Sequence, residues 1–174
     1  MYHLYKVVIL VVFSLSLYAD SGRLIKIVDG DTLYFNTAGE KVKCRIEYID
    51  TPESKNNSKL KKDISKCNVS NKDMKSAGLS ATRYAKSILK LNQMYKYDAS
   101  GKDRYGRSIC VVNNGNSTFN EQMIISGYST IYRYYMNKEE LTHYEALLQK
   151  AKNGRVGMWS NRYEVMECLD KARH

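Results

Sequence analysis

The stretch Leu24-Ile25-Lys26-Ile27-Val28-Asp29-Gly30-Asp31-Thr32-Leu33-Tyr34-Phe35 decides the fold. Two runs rich in β-branched and aromatic residues flank an Asp-Gly pair, a strong signal for a tight hairpin turn. Leu24 to Val28 is predicted as one strand and Thr32 to Phe35 as the next. Ala38-Gly39-Glu40 turns the chain into a third strand from Lys41 to Ile49, so a meander begins here. Gln93 to Asp98 and Arg107 to Val112 read as two further strands joined by a polar turn.

Helical spacing fills the rest. Ala81, Tyr84, Ala85 and Ile88 recur at i, i+3, i+4 and i+7, which predicts an amphipathic helix over Gly78 to Leu91. Asn113-Asn114-Gly115 signals a turn. Thr118 and Glu121 have capping-box spacing for a helix to Ser126, ended by Gly127. Asn137 and Glu140 repeat that spacing, and the helix they open carries Leu141, Tyr144, Leu148 and Ala151 on one face before Gly154. Gly157-Met158-Trp159 is expected to pack the tail. Ser54 to Lys75 is polar and lysine-rich, with Leu60, Ile64, Val69 and Met74 as its few apolar residues. It is expected to be an exposed loop, and a loop of that length is usually functional or mobile. Five short strands with helices inserted and appended give an α+β domain built on a small barrel.

The chain has 174 residues, enough for one domain with a buried core. Residues 1–19 carry Lys6, an apolar run from Val7 to Leu17, and then Tyr18-Ala19. This reads as a secretory signal peptide cleaved after Ala19, with an uncleaved anchor as the alternative, since the run is short of the roughly 20 residues of a membrane span. Export to the periplasm or the medium follows, with residues 20–174 as a single domain, monomeric and without stable membrane association. Without Lys6, 27 basic side chains face 18 acidic ones, a formal charge of +9. Such a surface attracts polyanions, of which nucleic acid is the commonest large one, although excess lysine also serves plain solubility. Cys44, Cys67, Cys110 and Cys168 form no C-x-x-C pair and fit no zinc spacing. In an exported protein an even number points to disulfides. Their surroundings favour Cys44 with Cys110, both in predicted strands, and Cys67 with Cys168, with three connectivities open.

Polar residues in three segments carry the chemistry. Asp29-Gly30 alone is an ordinary turn, but Asp31 beside it can present a carboxylate to a hard cation such as Ca²⁺. Arg45 lies between Cys44 and Ile46, where its planar guanidinium must reach a sheet face and can grip a phosphate by two hydrogen bonds. Asp50-Thr51-Pro52-Glu53 ends that strand. Pro52, the one proline in the chain, stiffens a corner at which two carboxylates can converge on one ion and one water. Asp103-Arg104-Tyr105-Gly106-Arg107 can be a plain charged hairpin tip. It also sets Arg107 at the start of a strand beside the third, opposite Arg45 across a cleft, with Tyr105 offering its ring or hydroxyl to a substrate.

In this order and spacing the three segments resemble the signature of the staphylococcal-nuclease-like (thermonuclease) family, from about Arg23 to Trp159, with Gly157-Met158-Trp159-Ser160 adding to the likeness. The resemblance implies an OB-fold barrel of five strands with three α-helices. It also implies a Ca²⁺-dependent endonuclease acting on DNA and RNA with little sequence preference, breaking the P–O5′ bond to leave 3′-phosphate ends. By that likeness Asp31 and Asp50 bind Ca²⁺ by carboxylate and Thr51 by its backbone carbonyl. Glu53 orients or deprotonates the attacking water, and Arg45 and Arg107 stabilise charge on the phosphate. Around Arg133-Tyr134-Tyr135, where the family has tyrosines that stack on a base, Arg133 takes one expected position and Tyr135 is the candidate for stacking. The segment after Glu53 is longer than expected for the family and contains Cys67. The rival reading is a non-catalytic OB-fold module that binds nucleic acid. Against it, a pure binder has no use for three acids where phosphate must approach.

Overall fold

The computed structural model describes residues 20–172; the expected signal segment lies outside them. The chain opens with strands β1 (Asp20–Ile27), β2 (Thr32–Thr37), β3 (Glu40–Ile46) and the short β4 (Ile49–Asp50). Helices α1 (Ser58–Cys67) and α2 (Asn71–Ile88) follow, then β5 (Met94–Lys102), β6 (Ser108–Asn114) and β7 (Ser117–Thr118). The chain continues through α3 (Phe119–Ile125), β8 (Thr130–Ile131), α4 (Lys138–Asn153), α5 (Met158–Asn161) and α6 (Tyr163–Ala172).

The barrel has the neighbour order β3-β2-β1-β5-β6 and closes by a parallel β3–β6 pairing in which Cys44 meets Ser108 and Arg45 meets Ile109. This is the five-stranded OB-type barrel that the family resemblance implied. Alternation along the strands sends Leu24, Leu33, Phe35, Ile46, Tyr97 and Val112 inward, all essentially without solvent exposure. Phe35 stacks on Tyr97 with ring centroids 5.0 Å apart. Register shifts at Leu24/Lys26 and Ala99/Gly101 let β1 and β5 bend around the barrel. The predicted third strand is broken: Tyr48 takes φ 63° after β3, and Ile49–Asp50 pairs with β8 instead.

The segment Ser54–Lys75 is not the loop its composition predicted. It holds α1 and the first turn of α2. The Asn57 side chain accepts from the Leu60 N–H at 2.7 Å, and Ser70 caps α2 in the same way through Asp73. Polar density hid a narrow stripe, Leu60, Ile64 and Cys67, that faces the core. The helix predicted from Gly78 therefore starts seven residues earlier. Helices α3 and α4 form as predicted, each with both halves of its capping box in place. The described residues hold six helices where three were implied; α1, α5 and α6 are the additions.

The disulfides are Cys44–Cys110 and Cys67–Cys168. The first ties β3 to β6 at the barrel's closure. The second ties α1 to α6 and closes a loop across 101 residues. Replacing Cys67 and Cys168 together by Ser is expected to lower unfolding free energy by about 2–4 kcal/mol, measured in urea without reductant. An unchanged midpoint would show that α1 docks on α6 without the bridge.

Candidate active site

The register of β2 on β3 pairs Thr32 with Arg45, which brings the end of the first turn beside the guanidinium. Asp31 is buried, and one of its oxygens accepts from both the Thr51 N–H and the Thr51 hydroxyl at 2.9 Å. Arg45 donates to the Ile46 carbonyl at 2.7 Å and to Asp50 at 3.0 Å, and lies 3.5 Å from Asp31. Asp50 itself is held from behind, where the Thr130 hydroxyl donates to its carbonyl at 3.2 Å. Asp31, Arg45, Asp50 and Thr51 are thus one connected cluster.

Two glycines allow the close approach. A Cβ on Gly78 would sit 2.4–2.6 Å from the backbone of Glu53 and Ser54, so α2 braces the corner after Pro52 by direct contact. A Cβ on Gly30 would come 2.7 Å from the Thr51 methyl. Neither close contact can be read from a local sequence pattern.

Lys59, from the first turn of α1, completes the cluster, and the sequence reading did not single it out. Its ammonium donates to the Thr51 carbonyl at 3.1 Å and lies 2.9 Å from Glu53, 3.3 Å from Asp50 and 3.6 Å from Asp63. Burial would discharge it, but Asp50, Glu53 and Asp31 outweigh burial and hold the proton on. Burial alone would raise the Asp31 carboxyl; Arg45, Lys59 and the Thr51 donors instead pull it down to about 2. Asp29 goes the other way, pushed up to about 7 by burial and by the charge of Asp31. Glu53 also accepts from the Asn57 side-chain amide at 2.7 Å.

The donor set suits a hard cation. Its anionic and carbonyl donors are all oxygens, and the Lys59 ammonium already draws the Asp50, Thr51 and Glu53 oxygens toward one positive charge. Among the described residues no three acidic, His or Cys side chains form a ready-made cage, because Asp31 and Asp50 are turned toward Thr51, Arg45 and Lys59.

Arg107 lies one residue before β6, the strand that pairs with β3, and its guanidinium is engaged within its own hairpin tip. Asp103 builds the turn that aims it, accepting from the Tyr105 and Arg107 N–H groups with one oxygen and from the Arg107 guanidinium at 2.7 Å with the other. Tyr105 is exposed, with the guanidinium groups of Arg104 and Arg107 at 4.9 and 5.7 Å from its ring centre. Tyr135 is 92 % exposed at φ 75°. The ring that reaches Arg45 belongs to Tyr132, 6.0 Å away, with Tyr134 tilted against it at 5.1 Å. Tyr134 lies in the turn closed by the Met136 N–H on the Arg133 carbonyl, just past β8, so no regular periodicity marks that pair. Arg133 points elsewhere and serves structure, paired with Glu145 and Asp170 at 2.7 and 2.8 Å.

A concavity of about 460 Å³ lies apart from this cluster, between α2 and α5, lined by Arg83, Tyr84, Tyr128 and Arg162 among others. It contains none of the clustered acids.

Comparison with known proteins places the fold in a family. The family described as staphylococcal nuclease homologue matches residues 43–161, a span that holds Arg45, Asp50, Thr51, Glu53 and Arg107. An uncharacterized protein of Methanocaldococcus jannaschii is 33% identical over 150 residues, covering 80% of this chain and 71% of its own. A thermonuclease of Staphylococcus hyicus is 28% identical over 141 residues, with 80% and 75% covered. An uncharacterized endonuclease of Haemophilus influenzae is 30% identical over 145 residues, with 80% and 66% covered. A closed OB-type barrel with Asp31, Arg45, Asp50 and Thr51 joined in one cluster, together with a match across most of the domain, makes the chain a member of the staphylococcal nuclease homologue family.

Proposed function

We propose that this chain is an exported, Ca²⁺-dependent nuclease that hydrolyses DNA and RNA phosphodiesters with little sequence preference and leaves 3′-phosphate ends. The observation that carries the reading is the convergence of Asp50, the Thr51 carbonyl and Glu53 on one cation, with Asp31 and Arg45 in contact behind them. Asp31, Asp50 and the Thr51 carbonyl would hold Ca²⁺, which when bound supplies positive charge to a phosphate oxygen. Glu53 orients a water and takes its proton as the water attacks phosphorus. Arg45 and Arg107 offer N–H groups to the oxygens that gain charge as the bond to O5′ breaks. Tyr105 and the Tyr132–Tyr134 pair, with Tyr135 beyond it, provide ring faces for bases, which fits weak sequence preference. The +9 charge of residues 20–174 draws the polyanion in.

Residues 20–174, purified and incubated with plasmid DNA, are expected to cleave it in Ca²⁺ and to leave it intact in a calcium chelator. Mg²⁺ should serve poorly, because it demands tight octahedral geometry and keeps its waters. The ends should resist polymerase extension until a phosphatase treats them. Full cleavage in chelator would sink the metal role of Asp31 and Asp50. Tight DNA binding with no cleavage under any metal would favour the non-catalytic OB-fold module.

A further inference from the structure

We propose that Lys59 is a tethered cation that seats itself at the metal position and competes with the divalent ion for it. This rests on the calcium reading above and extends it to a control built into α1.

The contacts single out Lys59. Three of its four oxygen partners, on Asp50, Thr51 and Glu53, are the groups assigned to metal and water, and the fourth is buried Asp63 one helical turn on. An ammonium has three rotatable N–H donors and a single charge, so it satisfies such a set without fixed geometry. It also grips Glu53 directly at 2.9 Å, which engages the group that must act on the water. A divalent ion cannot share these oxygens with an ammonium, because like charges a few ångströms apart repel strongly in a partly buried site. One of the two must leave. Arg45 is fixed by the Ile46 carbonyl and by both Asp31 and Asp50. Lys59 is held by a flexible four-carbon stem, and its side chain is 35% exposed, so it has a path to solvent.

Two linked effects follow. With no metal bound, Lys59 neutralises the repulsion among Asp31, Asp50 and Glu53 and steadies the fold. When metal binds, Lys59 withdraws and releases Glu53. The same residue therefore stabilises the metal-free protein and weakens its metal affinity.

The test needs no turnover. Ca²⁺ is titrated calorimetrically into wild type, Lys59→Met and Lys62→Met without nucleic acid, and thermal unfolding is recorded in chelator and in Ca²⁺. Lys62 is exposed on the same helix and loses the same charge. Lys59→Met is expected to bind Ca²⁺ about tenfold more tightly, given the size of close charge repulsion at a part-buried site. It should unfold at a lower temperature than wild type in chelator and gain more from Ca²⁺. Lys62→Met should change affinity by less than about twofold, since solvent screens an exposed charge. If Lys59→Met matches Lys62→Met while wild type binds Ca²⁺, the competition is overturned and the calcium reading stands. If none of the three binds Ca²⁺, both fall. Should Lys59→Met not fold in chelator, Lys59→Gln is titrated in its place against the same two thresholds.

Discussion

Glu53→Gln is expected to lower turnover by roughly 10²–10⁴-fold, the range of general acid–base catalysis, while DNA affinity in Ca²⁺ holds or rises slightly. The geometry separates Glu53 from the groups around it. Asp31 and Asp50 are each engaged with Arg45, whereas Glu53 faces Lys59 and the Asn57 amide at the mouth of the cluster. Its backbone is braced by α2 at Gly78, so the carboxylate is offered from a fixed base. Glutamine keeps the shape and can still accept from Asn57, but it cannot take a proton and cannot pair with Lys59. Removing one negative charge beside phosphate favours binding, so turnover and affinity should separate. Turnover and the dissociation constant of a short oligonucleotide are measured on the same preparations. Turnover like wild type would remove Glu53 from the mechanism. A parallel loss of both would recast it as a binding residue.

What the sequence revealed divides along a physical line. Local signals carried the hairpins at Asp29-Gly30 and Ala38-Gly39 and the capping boxes at Thr118 and Asn137, because each is decided by residues a few positions apart. The nearness of Asp31 to Arg45 was also legible, since the antiparallel register of β2 on β3 sets Thr32 opposite Arg45. Helix α1 was not, because its buried stripe is only Leu60, Ile64 and Cys67, and its stability draws on α6 through a bridge to Cys168. Lys59 followed α1 out of sight: in a lysine-rich run no local feature marks the one lysine that tertiary packing turns inward. The tyrosines show the same limit. Arg133 broke the expected pattern, and only the ion pairs to Glu145 and Asp170 explain why it faces away from Tyr132 and Tyr134.

Arg107→Ala and Arg45→Ala are each expected to lower turnover about 10²–10³-fold, the cost of removing one donor aimed at developing charge. They should part in stability. Arg107 pairs with Asp103 at a hairpin tip, so its loss should change unfolding free energy by no more than about 1 kcal/mol. Arg45 lies between Asp31 and Asp50, and its loss removes the guanidinium charge that both buried carboxylates contact. In chelator Arg45→Ala should therefore lose about 3 kcal/mol, as for a broken buried pair. Ca²⁺ should restore part of that loss, because it returns positive charge to the same oxygens. Arg45→Lys should recover stability better than turnover. An ammonium can balance the two acids, but it cannot hold the Ile46 carbonyl and Asp50 in one plane while presenting a second edge to phosphate. The four proteins are compared by denaturant unfolding with and without Ca²⁺ and by turnover at saturating Ca²⁺. Full turnover in Arg45→Lys would refute the planar grip, and wild-type turnover in Arg107→Ala would show that the hairpin-tip arginine is a structural turn residue.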